Sequence, residues 1–211
     1  MAEFRIVNRS LQVIISKPRF FHKPVPLGKA RQVIEVVRQW GLHVNAYVDD
    51  ELFVERVTPE AERYVRIARV PLHPVGDLLD FLASPPTKLV VVSDEATIDK
   101  AMRELRGKFG EALYITKSLP MFCEIAHPGV NKGTALAFLA GHLGIPREET
   151  VAIGDGLNDL EMIQWAGLGI AMGNAPQEVK AAAGWVTGPF QEDGAAGALE
   201  RILGGVPAPA K

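Results

Sequence analysis

The chain has 211 residues, 47% of them hydrophobic and 23% charged, with a formal net charge of −2. That is the composition of a globular chain able to bury one large core or two small ones, and not of a disordered or fibrous chain. No apolar stretch approaches the roughly 20 residues of a membrane helix, the opening MAEFRIVNRS lacks the apolar centre of a signal peptide, and the single Cys123 excludes an intramolecular disulfide.

Taken in chain order, Ala30, Val33, Ile34, Val37 and Trp40 recur at three- and four-residue steps, which predicts a helix from Pro26 to Trp40 ended by Gly41. Alternation at Leu42, Val44, Ala46 and Val48, a turn at Asp49-Asp50, and resumed alternation at Leu52 and Val54 predict a hairpin. Short helices are expected from Pro59 to Ile67 and from Val75 to Leu82, before Ser84-Pro85-Pro86-Thr87 breaks the chain. Lys88 to Val92 reads as a strand, Glu95 to Phe109 as a helix, and Ala112 to Thr116 and Met121 to Ile125 as two more strands. Aspartates 49, 50 and 94 read as turn and cap residues, and Cys123 as a small buried apolar side chain.

After His127-Pro128-Gly129 the pattern becomes a regular alternation. A helix from Lys132 to Leu143 leads to a strand at Thr150 to Ile153, a helix at Leu157 to Ala166 and a strand at Gly169 to Met172. A helix from Pro176 to Ala183, a brief strand at Trp185-Val186 and a last helix from Gly194 to Leu203 complete it. Such alternation predicts a parallel sheet with crossover helices, whose ligands bind outside the carboxyl ends of the strands.

That location is where the sequence concentrates its chemistry. In Val151-Ala152-Ile153-Gly154-Asp155-Gly156-Leu157-Asn158-Asp159, two carboxylates and a carboxamide stand directly beyond a buried strand. The four-residue step from Asp155 to Asp159 can bring both carboxylates to one side of a first helical turn, a place suited to Mg2+, which takes a few carboxylates, keeps waters and accepts phosphate oxygens. A Gly-Asp-Gly turn with Asn158 or Asp159 capping the next helix is the plainer alternative.

The run Gly154-Asp155-Gly156-Leu157-Asn158-Asp159-Leu160-Glu161-Met162, followed by Gly169-Ile170-Ala171-Met172-Gly173-Asn174-Ala175, resembles the fourth motif of the haloacid dehalogenase-like phosphatases, in particular their Cof-type branch. Asn131-Lys132-Gly133 resembles the third motif of that family, and Glu192-Asp193-Gly194 its closing turn. The resemblance implies a Rossmann-like parallel core, here its carboxyl-terminal part over 129–211, and an α/β cap with a hinge strand over 1–128. It implies a Mg2+-dependent phosphatase of small phosphorylated metabolites, with Asp155 and Asp159 at the metal and Lys132 neutralising phosphate charge. Asn158, Asn174 and Gly156 would hold phosphate or substrate.

The 211 residues contain no Asp-x-Asp-Gly-Thr motif, from which the resemblance would draw the attacking aspartate. Phe4 to Val7 reads as a strand with Asn8 in the place of that nucleophile, or as the turn entering the cap, where Asn8-Arg9-Ser10 replaces the usual Asn-Gly-Ala. The expectations are therefore a shortened phosphatase of this lineage, whose catalysis would need the segment that carries the attacking aspartate, or a non-catalytic remnant or binding module that keeps the Mg2+ site. An open core-sheet edge beside the Asp155 strand implies either a homodimer paired through that edge or missing upstream sequence. The first 31 residues carry seven basic side chains against one acid, Glu3, but no stacking aromatics or recognition helix, so no nucleic-acid partner is expected. A cytoplasmic location is the remaining expectation.

Overall fold

The computed structural model describes residues 21–205. They form two compact units, one of residues 21–115 and 120–128, the other of residues 116–119 and 129–205. The readings of Phe4 to Val7 and of Asn8-Arg9-Ser10 lie outside the described residues.

In the first unit, helix α1 (Leu27–Gln39) precedes a hairpin of β1 (His43–Val48) and β2 (Glu51–Val54). Both turn residues, Asp49 and Asp50, have positive φ, 50° and 68°, the backbone a two-residue hairpin demands and aspartate tolerates. Helix α2 (Pro59–Ala68), strand β3 (Leu72–Pro74), the single turn α3 (Leu78–Phe81), strand β4 (Lys88–Val92) and helix α4 (Glu95–Phe109) follow. Strands β5 (Tyr114–Leu119) and β6 (Phe122–Ala126) complete a six-stranded sheet of order β3-β2-β1-β4-β6-β5.

The sheet is apolar on both faces, and β4 shows why its sequence is continuously apolar from Leu89 to Val92. Leu89 and Val91 join Val33, Ile34, Val37, Ile98 and Leu105 on one side. Val90 and Val92 join Tyr47, Leu52, Tyr64 and Phe122 on the other. A strand covered on both faces has no polar side to display. Each such side chain taken fully out of water stabilises the fold by about 1.5–3 kcal/mol.

In this unit three elements differ most from the sequence reading. The helix expected from Val75 to Leu82 is one turn, because Gly76 adopts φ +81° and the Asp77 side chain caps Leu79 only after it. Strand β3 was not expected; at three residues it is ordered by parallel pairing with β2, Leu52 beside Leu72. Strand β5 starts two residues later than expected, since Gly110–Ala112 first form a 3-10 turn.

The second unit begins with α5 (Lys132–Leu143), capped reciprocally by Asn131 and Thr134. Strand β7 (Val151–Gly154), helix α6 (Leu160–Trp165), strand β8 (Leu168–Ala171), helix α7 (Gln177–Ala182), strand β9 (Trp185–Val186) and helix α8 (Gly194–Leu203) give the expected α/β alternation. Its three-stranded sheet, β7-β8-β9, is parallel, with Ile153 beside Ile170 and Ala171 beside Val186. Among the described residues β7 pairs only with β8, so the strand that leads to Asp155 is an edge of this sheet. Among the described residues, no helix is long and apolar enough to cross a membrane.

Candidate active site

The turn after β7 is organised by Asp159. Its carboxylate is 5% exposed and folds back over the turn. Oδ2 accepts the backbone N–H of Asp155 at 3.0 Å and that of Gly156 at 2.9 Å, while Oδ1 pairs with Lys132 Nζ. A buried carboxylate with an ammonium on one oxygen and two N–H donors on the other has its charge met in full, which is the condition for burying it at all.

Glycines create the space for this arrangement. A Cβ on Gly154 would lie 2.4 Å from Asp159 Cβ, so only glycine lets the side chain cross the strand end there. A Cβ on Gly133 would meet Glu161 O at 2.6 Å. The first turn of α5 therefore rests on the backbone of α6 beside Asp159, which brings the neighbouring Lys132 onto the carboxylate.

Asp155 differs from Asp159 in being exposed at the strand's carboxyl end. Its Oδ2 accepts from Asn174 Nδ2 at 3.0 Å, and Asn174 Oδ1 accepts the Phe190 N–H, also at 3.0 Å. The ammonium of Lys132 has three N–H donors, one of them directed to Asp159, and its side chain is 26% exposed. The site thus presents one outward carboxylate and one partly exposed cation, each held by a neighbour.

The residues expected from the sequence converge, but with a division of labour the spacing did not give. Asp155 is exposed, whereas Asp159 is buried. The Gly156 N–H, expected at a phosphate, is donated to Asp159, and a Cβ on Gly156 would fall 2.5 Å from Asn158 Oδ1. The half-buried Asn158 side chain thus covers Gly156. Asp159 occupies the N-cap position of α6 without a side-chain cap bond there, and accepts instead the Gly156 N–H at the start of the 3-10 turn Leu157–Asp159.

Among the described residues no three His, Cys, Asp or Glu side chains gather as a metal cage. A cation at Asp155 would therefore draw other ligands from water and substrate oxygens, the habit of Mg2+ and not of a closed zinc site. The donor chemistry fits, one carboxylate oxygen being the hard ligand Mg2+ prefers.

A second polar cluster, in the first unit, was missed by sequence reasoning. A cavity of about 200 Å³ is lined by His43, Thr58, Glu60, Arg38, Arg56 and Ser93 among others. His43 Nε2 lies 2.7 Å from Asn45 Oδ1 and Nδ1 lies 3.1 Å from Thr58 Oγ1. Burial pushes the His43 pKa down, against the pull of Asn45 and of the carboxylates of Glu60 and Glu55. Thr58 is 15 residues from His43 in the chain. Only the helix starting at Pro59 was legible, and neither its cap Thr58 nor the pairing of Thr58 with His43 was.

A family profile of the haloacid dehalogenase-like hydrolases matches residues 13–199. A relative from Haemophilus influenzae is 35% identical over 160 residues, 75% of this chain and 60% of its own length. The 5-amino-6-(5-phospho-D-ribitylamino)uracil phosphatase YcsE of Bacillus subtilis is 42% identical over 108 residues, 51% of this chain and 43% of its own. Among solved structures, a haloacid dehalogenase-like hydrolase from Bacteroides thetaiotaomicron superposes with a TM-score of 0.73 at 32% identity, covering 89% of this chain and 71% of its own. The chain spans about half the length of the curated relatives it matches.

Proposed function

We propose that this chain, which belongs to the Cof-type haloacid dehalogenase-like hydrolases, acts as a Mg2+-dependent phosphomonoester hydrolase on small phosphorylated metabolites. The observation that carries the reading is the pairing, at one strand end, of an outward carboxylate on Asp155 with an ammonium on Lys132, each braced from behind.

In this reading Asp155 holds Mg2+ through the oxygen that Asn174 leaves open. Bound Mg2+ supplies charge neutralisation at phosphoryl oxygens. Lys132 adds a second positive charge with the two N–H groups that Asp159 does not take. Asp159 is a clamp and not a ligand, because its oxygens are already committed to Lys132, Asp155 and Gly156. Asn158 covers the turn and offers its amide to a substrate oxygen. Phosphoryl transfer asks mainly for positioning and charge stabilisation, which is what these residues are built to give. The attacking group is none of these residues, and the 211 residues contain no Asp-x-Asp-Gly-Thr motif.

Support for a phosphate-ester substrate also comes from the relatives, one of which is named for hydrolysis of a phosphorylated ribityl compound. The test is hydrolysis of a panel of phosphomonoesters with and without Mg2+, by this chain and by Asp155→Ala. The expected result is turnover that needs Mg2+ and falls by about a hundredfold or more in the variant, the scale of losing one charge-stabilising group. Equal rates in both proteins would defeat the proposal.

A further inference from the structure

Asn174 lies just beyond β8, and both ends of its amide are in use. Nδ2 donates to Asp155 Oδ2 and Oδ1 accepts from the Phe190 N–H, each at 3.0 Å. The partners fix the orientation of the amide. A carboxylate only accepts and a backbone N–H only donates, so the nitrogen must face Asp155 and the oxygen must face Phe190.

The Phe190 end is tied to the end of β8 by contacts other than this one. Gly173 N–H donates to Gly188 O at 3.1 Å, and a Cβ on Gly173 would come within 2.7 Å of Pro189 N. The Thr187 N–H donates to Ala171 O at 2.9 Å, and its hydroxyl to Gly194 O at 2.7 Å. The stretch 187–194 is thus laid against the strand end, and Asn174 is the side chain that links it to the outward carboxylate.

We propose that Asn174 is a positioning residue that selects which Asp155 oxygen meets the cation and makes the turn around Phe190 part of the cation site. By holding Oδ2, it leaves Oδ1 to ligate and prevents the carboxylate from turning or binding through both oxygens. By accepting from Phe190, it passes any shift of that carboxylate to the 187–194 turn. The inference rests on the cation reading given above.

The experiment is a calorimetric Mg2+ titration of the full chain, Asn174→Ala, Asn174→Asp and Asp155→Ala, with amide hydrogen exchange at Phe190 read in the metal-free proteins. Asn174→Ala should weaken Mg2+ binding about tenfold, the lower end for loss of a partner behind a metal ligand, since this bond is exposed. It should also speed exchange at Phe190. Asn174→Asp keeps the acceptor for Phe190 and should keep that amide slow. It also sets a second carboxylate against Asp155, so its thermal midpoint should fall without Mg2+ and recover with it. A tilt toward simple structural filling would show as equal Mg2+ affinity in Asn174→Ala and the unaltered chain, which overturns the role of Asn174 alone. No Mg2+ binding by the unaltered chain, or equal binding by Asp155→Ala, overturns the cation reading and this inference with it.

Discussion

The two units treat their polar groups in opposite ways. In the first, polar side chains are spread over a two-faced sheet and paired locally. Lys88 Nζ sits 3.1 Å from Glu124 Oε2 and 5.0 Å above the Tyr47 ring, Tyr47 donates to Tyr64 at 3.1 Å, and His43 lies between Asn45 and Thr58. In the second, a smaller sheet and the first turn of α5 gather Lys132, Asp155, Asp159 and Asn174 at the ends of two adjacent strands. Its main apolar cluster gathers around Ile163, Ala171 and Val179, against some twenty buried side chains in that of the first. A scaffold with less apolar burial therefore carries a buried charge. The lesson is that in the second unit the polar turn is itself structural, because the same Asp159 that orders Lys132 also closes the backbone of the site.

The sharpest way to break that comparison is Asp159→Ala. It leaves Lys132 without its partner and the Asp155 and Gly156 N–H groups without an acceptor. We expect a loss of roughly 1–3 kcal/mol in urea unfolding, the cost of leaving the turn's N–H donors unsatisfied, since the Lys132 side chain, 26% exposed, can turn to water. A loss below about 1 kcal/mol, the range of exposed pairs, would show that the turn is ordered by something else.

A smaller effect is expected in the first unit, where it depends on pH. The folded-state pKa of His43 is held below its ordinary value by burial. The unfolded chain therefore binds the proton first as pH falls. Stability is complete above the unfolded pKa of about 6.5 and declines as pH drops through it toward the folded value. His43→Gln should flatten that decline in thermal unfolding followed between pH 7.5 and 5. An unchanged pH profile would show that His43 is not the group responsible.

Much of this architecture was legible in the sequence, for reasons that differ by element. Strand β4 and helix α4 have the expected bounds, because Lys88 to Val92 is a compact β-branched run and Asp94 caps Thr97 N–H ahead of a regular helical pattern. Strand β3 was not legible, since three residues hold no periodicity and its order comes from β2. At the site, residue types and spacing singled out Asp155 and Asp159, and the resemblance of Asn131-Lys132-Gly133 to a family motif added Lys132. Which oxygen faces which donor depends on α5 resting on α6 at Gly133, a contact between segments 28 residues apart. The spacing placed both carboxylates beside one turn, and only the fold shows that Asp159 bonds Lys132 and the Asp155 and Gly156 N–H groups. His43 went unnoticed for the same reason, its partner Thr58 being brought to it by the sheet and not by the sequence.

The account stands on Asp155 offering an open carboxylate oxygen to a cation while Asp159 holds the turn beneath it. Calorimetric titration of Mg2+ into the full chain and into Asp155→Ala tests this most directly. A single Mg2+ site in the first protein and its loss in the second, with both folded to the same helical content, is the predicted result. The same binding heat in both would contradict the account.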